Sequence, residues 1–265
     1  MKKLLITSII TLLLVACSKV PITNRRQVNL LPESQLIGMS LTGYKDFLDK
    51  NPPLAATNAN AAMVARVGDR ISKAVITFLE QNKMGDRVQD YKWEFKLVDS
   101  KEINAWCMPG GKVVVYTGLL PVTKDETGLA FVMGHEVAHA VARHGNERMS
   151  QMLLAQTGGL ALDVALSDKP AETRAIFNTA YAVGSQVGVM LPFSRLHETE
   201  ADKLGMIFMA MAGYDPEQAP AVWSRMIEIN KGPKPPAFLS THPGDQNRIE
   251  NIRAYVTTAK KYFKN

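Results

Sequence analysis

His135, Glu136 and His139 stand as H-E-x-x-H in the stretch from Phe131 to His139. On a helix, residues four apart share one face, so two imidazoles can point at one cation. The glutamate beside the first histidine can then act as a base toward a water held at that cation. This is the chemistry of a zinc hydrolase, and it calls for a third protein ligand. Ser194-Arg195-Leu196-His197-Glu198-Thr199-Glu200-Ala201-Asp202 offers one. Glu198 and Asp202 share a face, whereas Glu200 points roughly the other way. The spacing predicts Glu198 on the metal and Asp202 hydrogen-bonded behind a ligating histidine. Glu200 is expected to be solvated or in a surface ion pair. His144 falls half a turn out of phase with His135, and His197 faces away from Glu198, so neither is expected to bind metal.

The elements that must position these residues show in the hydrophobic pattern. Residues 32–49 and 58–83 read as helices, the second with Met63, Val64, Val67, Ile71, Val75, Phe78 and Leu79 at helical spacing. Tyr91 to Val98 alternates as a half-buried strand. A second strand, Val113 to Tyr116, is entered through Pro109-Gly110-Gly111. Thr123 and Glu126 have capping-box spacing for the H-E-x-x-H helix, whose middle, Leu129 to Met133, is apolar all round as in a buried helix. Met152 to Leu166 and Ala175 to Leu191 are apolar, helical, and too short or too polar to span a bilayer. They are core or partly exposed helices, or else a flap facing a membrane surface or a substrate. Further helices are expected over 194–211, 217–230 and from Pro243 to Tyr262, with a breaker-rich loop over 231–236. No internal repeat is visible.

The N-terminus reads as a targeting segment. Lys2 and Lys3 precede an apolar run from Leu4 to Val15, shorter than a membrane-spanning helix. It ends in Leu14-Val15-Ala16-Cys17, which resembles a bacterial lipobox. The resemblance implies removal of residues 1–16 and lipid on Cys17, with 17–31 as a tether and 32–265 as one domain. Ser18 stands where aspartate would signal inner-membrane retention, which points to the outer membrane. Lipidation of Cys17 would leave Cys107 alone, so no disulfide is expected. The chain carries 31 basic and 25 acidic residues, a formal +6, and no basic run suited to nucleic acid.

Four ordered motifs together resemble one family. H-E-V-A-H is followed some sixty residues later by S-R-x-x-E-x-E-A-D. Before them, Asn104-Ala105-Trp106-Cys107-Met108-Pro109-Gly110-Gly111 resembles an N-A-x-x-x-P-G-G strand. After them, Ser240-Thr241-His242-Pro243 with Arg248 resembles S-T-H-P-x-x-x-x-R. The set is similar to the zinc metallopeptidases that include the CAAX prenyl proteases and HtpX-like peptidases, and most to their soluble periplasmic BepA- and LoiP-like branch. Cys107 departs from the pattern, where a small residue is expected.

The resemblance implies an α+β, mostly helical zincin-type domain with a small β-sheet beside the H-E-x-x-H helix. It implies one Zn2+ per chain on His135, His139 and Glu198, with Glu136 as general base. His242 would either stabilise the transition-state oxyanion or occupy the open metal position and hold the enzyme latent. Arg248 would aid the developing negative charge or anchor its loop. The strand Lys112, Val113, Val114, Val115, Tyr116 is expected to line the cleft, as zinc peptidases commonly take substrate as an added strand. The implied protein is a lipid-anchored endopeptidase on the periplasmic side of the outer membrane, acting on misfolded envelope proteins. A self-inhibited peptidase and a non-proteolytic assembly or chaperone factor are the alternatives.

Overall fold

The structure, a computed structural model, describes residues 17–169, 171–229, 236–242 and 246–263. Residues 1–16, most of the loop at 231–236, and Pro243 lie outside the described residues. In chain order the main elements are β1 (Cys17–Lys19), β2 (Arg26–Val28), α1 (Glu33–Lys50), α2 (Ala59–Gln81), β3 (Glu94–Val98), β4 (Ala105–Met108), β5 (Lys112–Tyr116), α3 (Glu126–Val141), α4 (His144–Ala165), α5 (Ala171–Ser185), α6 (Leu191–Met211), α7 (Ala219–Ile229), α8 (Ala237–Thr241) and α9 (Gln246–Lys260). The mostly helical α+β architecture agrees with the sequence pattern. The chain forms two compact units: Met1–Pro32 with Arg143–His197, and Glu33–Ala142 with Glu198–Asn265.

The larger unit is built on a three-stranded sheet in the order β3-β5-β4, with β3 parallel and β4 antiparallel to β5. The strand β4 was not marked by any alternation of its own. It forms because Gly110 and Gly111, at φ 89° and 78°, turn the chain back onto β5 in a conformation that side-chain-bearing residues avoid. On α2, Val64, Val67, Ile71, Val75, Phe78 and Leu79 are buried, each contributing on the order of 1.5–3 kcal/mol. Helix α2 reaches the sheet at Gly68, where a Cβ would lie 2.2 Å from the Phe95 ring. Helix α3 is buried without interruption from Gly128 to Ala138, as its all-round apolar pattern requires.

The capping box at Thr123 does not form. Asp125 is the N-cap and accepts from the Gly128 amide at 2.8 Å. The Thr123 hydroxyl donates back to the Leu120 carbonyl, closing a separate four-residue turn that ends at Lys124. Asp125 is the better-placed cap because Lys124, at φ 70°, breaks the helical path between Thr123 and α3.

The smaller unit holds β1 and β2, α4, α5 and the start of α6. The expected tether is folded rather than extended. β1 pairs antiparallel with β2, and Val20 and Gln27 are buried. Arg25 makes two bonds to Glu147, at 2.6 and 2.8 Å, and Gln27 donates to the same carboxylate at 3.1 Å. His197 completes this cluster, 2.9 Å from Glu147 and stacked on His144 with ring centroids 4.3 Å apart. Where a break was expected before residue 194, α5 continues through a π-helical turn, Gln186–Met190, into α6. No helix among the described residues is long and apolar enough to cross a membrane.

Candidate metal centre

The two helices that carry the H-E-x-x-H pair and the acidic motif cross at glycine. A Cβ on Gly134 would lie 2.8 Å from the Gly205 carbonyl oxygen, and one on Gly205 would lie 2.7 Å from the His135 amide nitrogen. Backbone therefore meets backbone one residue before His135 and three after Asp202. That contact sets His135 and His139 opposite Glu198 and Asp202. Neither glycine was singled out from the sequence, although Gly134 directly precedes His135 and Gly205 follows Asp202 by three residues.

His135, His139, Glu198 and His242 each offer one ligand atom within 4.8 Å of the others. Nε2 of His139 lies 3.1 Å from Nε2 of His135, which in turn lies 3.3 Å from Nδ1 of His242. The Glu198 carboxylate is 3.4 Å from both His135 and His139 and 3.1 Å from His242 Nδ1. Tetrahedral zinc with nitrogen ligands at ~2.1 Å sets its ligands roughly 3.4 Å apart, so the donor set fits that ion in both chemistry and spacing.

The supporting residues fix these ligands. Asp202 lies 2.9 Å from His135 Nδ1, which leaves Nε2 for the metal and sets the tautomer. Arg248, 7% exposed, bonds Asp202 at 2.7 and 2.9 Å and Glu198 at 2.8 Å, with its guanidinium 4.0 Å above the Trp223 ring. Its donors are directed at the two carboxylates, so it is a positioning residue for the metal ligands. Burial works against charge on Glu198 and Asp202. The imidazoles around Glu198, and Arg248 with His135 beside Asp202, nonetheless hold both carboxyls below their ordinary range. Burial likewise opposes a charged His135, but Asp202 and Glu198 outweigh it and raise the ring to about 9.

Glu136 differs from the other carboxylates. It is buried, its Oε1 makes no hydrogen bond, and His242 Nε2 stands 3.4 Å from that oxygen. Burial pushes its carboxyl up, against the pull of His242 and His135. A carboxyl shifted upward beside a metal site is suited to accept and return a proton near neutral pH.

Three expectations need correction. Lys112, Val113, Val114, Val115 and Tyr116 cannot take an added strand, because β5 is the central strand and both its edges are paired. The Lys112 ammonium is buried and bonds Glu94 and the Lys92 carbonyl. Glu200 is 1% exposed, not solvated, because α6 is covered on that side as well. His144 is not out of phase on the H-E-x-x-H helix, for α3 ends at Val141 and His144 begins α4 in the smaller unit. Two neighbours went unforeseen: Phe238, whose ring centroid lies 4.7 Å from that of His242, and Trp223, at 6.4 Å from His135. Phe238 precedes His242 by four residues, a spacing that would have suggested the contact.

Two imidazoles from one helix, a carboxylate from a second and a base beside them define a zincin-type metallopeptidase. The chain belongs to peptidase family M48, whose pattern it matches over residues 66–256. It is a zinc metalloendopeptidase. It is 34% identical over 245 residues to the mitochondrial metalloendopeptidase OMA1 of Schizosaccharomyces pombe, an alignment covering 91% of this chain and 67% of that one. The human mitochondrial metalloendopeptidase OMA1 is 30% identical over 248 residues, covering 91% of this chain and 46% of its own length. The beta-barrel assembly-enhancing protease of Escherichia coli is 30% identical over 167 residues, 61% of this chain and 34% of that protein. The chain thus spans less than half of the human relative and about a third of the bacterial one.

Proposed function

We propose that this chain is a lipid-anchored endopeptidase of the bacterial envelope that degrades misfolded or stalled envelope proteins and rests in a latent state. The observation that carries the peptidase chemistry is the convergence of His135, His139, Glu198 and His242 on one point. Zinc, when bound there, supplies a Lewis acid that makes water nucleophilic near neutral pH. Glu136 takes the proton from the attacking water and returns it to the leaving amine. Asp202 and Arg248 hold the ligands in place throughout.

Latency rests on His242. Its Nδ1 faces Glu198 and His135 while its Nε2 faces Glu136, so the ring fills the position that a substrate carbonyl and water need. Substrate entry then requires His242 to swing out. The strand that serves the substrate is β4, Ala105–Met108. Its outer edge pairs with no strand among the described residues, and Cys107 on it is close enough to Glu136 for that carboxylate, after burial, to help push its thiol upward. Envelope location is supported by Lys2-Lys3, the apolar run to Val15 and Ala16-Cys17. The likeness to the beta-barrel assembly-enhancing protease of Escherichia coli supports a role near β-barrel assembly.

Casein digestion by the full chain, with Glu136→Gln and a chelator as controls, tests the reading. Cleavage should need both metal and Glu136, and equal activity in Glu136→Gln would remove the peptidase assignment. His242→Ala should raise general proteolysis if the ring blocks the metal. A fall would instead assign His242 to the transition state.

A further inference from the structure

The helical hairpin α4–α5 carries a largely apolar exposed surface. Large apolar side chains on it are exposed: Leu160 at 71%, Val164 at 73% and Ile176 at 68%, with Phe177 and Val183 also beyond half exposed. A few partly exposed polar groups link its two helices. Asp163 accepts from Arg174 at 2.7 Å and from Asn178 at 3.1 Å, and the Tyr181 hydroxyl donates to the Ala155 carbonyl at 3.0 Å. Gly158 makes room for that phenol, since a Cβ there would lie 2.2 Å from its oxygen. So much exposed apolar surface on one hairpin is unfavourable in water and marks a contact surface.

Charge placement repeats the pattern. No acidic or basic residue occurs from Met149 to Leu162 or from Ala175 to Ser194, while charges gather at the hairpin's tip, Asp163 to Arg174, and at its base. The first described residues lie at the base as well. Cys17 pairs with Val28, and β2 and the residues just after it are tied to the first two turns of α4 through Asn146, Glu147 and Ser150. Residues 1–16, with the apolar run Leu4 to Val15, precede Cys17 in the sequence.

We propose that the outer face of α4–α5 lies in the interfacial region of a phospholipid bilayer, as a second, in-plane membrane contact beside the one at Cys17. The occupant is lipid because the exposed apolar side chains fall on two uncharged helical stretches, and because the apolar run Leu4 to Val15 precedes the first strand of the same compact unit. Neither helix can cross the bilayer, so the seat is on the surface, along as much as ~33 Å of the 22-residue α4. This inference builds on the envelope reading above only through the anchor. The hairpin's own pattern stands without cleavage or acylation at Cys17.

The test is lipid photolabelling. The full chain is returned from detergent to phosphatidylethanolamine–phosphatidylglycerol vesicles containing a phospholipid with a diazirine on its acyl chain. Peptide mass spectrometry then maps the labelled side chains. Labels should concentrate on Leu160, Val164, Ile176 and Phe177, and converting these four to Gln should cut hairpin labelling about tenfold. The wild-type map is decisive even if that variant folds poorly. Labels spread evenly over the chain, or confined to the N-terminal end, would overturn the proposal. So would a variant that alters only the sedimentation of the protein, which would make a second copy the occupant. The mass of the N-terminal peptide separates the two readings: an unmodified Cys17 with a labelled hairpin ends the lipoprotein assignment and supports this one.

Discussion

His197 and Glu198 are neighbours in sequence, yet each belongs to a different buried cluster, and the two clusters obey different rules. In the first, His197, Arg25 and Gln27 direct donors at Glu147, so every close approach joins a donor to an acceptor. Around Glu147 the polar pairing needs no cation. In the second, three imidazole nitrogens approach each other and one carboxylate at 3.1 to 3.4 Å. Nitrogen facing nitrogen at that range is poor pairing within the protein alone and good coordination geometry around a cation. Both clusters contain histidine and glutamate under near-complete burial. What separates a metal site from an ion-pair network is whether the lone pairs converge on one another or on donors.

The largest expected effect comes from breaking the convergent cluster. Glu198→Ala should strip zinc from the protein and cost more than the ~100-fold that losing a mere supporting residue costs. Metal analysis beside a casein assay checks it, and full zinc occupancy with normal turnover would refute the ligand assignment. Asp202→Asn should follow, at roughly 10- to 100-fold in metal affinity or activity, because the amide can present the wrong partner to His135 Nδ1. Gly205→Ala should destabilise by about 1–3 kcal/mol in denaturant, since its methyl would press on the His135 backbone. Glu147→Ala should cost about 3 kcal/mol by leaving Arg25 and His197 facing one another, while zinc content stays at wild type. A loss of zinc in that variant would erase the distinction between the clusters.

The smallest effect is one of pH. Burial pushes the Glu147 carboxyl upward, but Arg25 and His197 bring it down to about 2 from an ordinary 4.5. A carboxylate held low stabilises the fold above its unfolded value, and that contribution fades as pH falls from 4.5 toward 2. Acid titration of wild type against Glu147→Gln should therefore converge over this window. A constant gap between the two melting curves down to pH 2 would show that the Glu147 charge contributes nothing.

The sequence by itself determined the chemistry of the centre. A spacing of four on a helix fixes a shared face whatever the surroundings, which is why His135 with His139, and Glu198 with Asp202, were readable at once. The buried H-E-x-x-H helix was readable for the same reason. Tertiary structure decided everything that depends on what lies across from a residue. Asp125 rather than Thr123 caps α3, because φ at Lys124 decides which side chain reaches the amides. β5 lies between β3 and β4, because strand order is a matter of long-range pairing that alternation along one strand cannot encode. Glu200 is buried for want of open solvent on its side of α6. Arg248 meets the Asp202 and Glu198 carboxylates because the fold brings both within its reach. Local periodicity says which residues share a face, and only the packed chain says what that face meets.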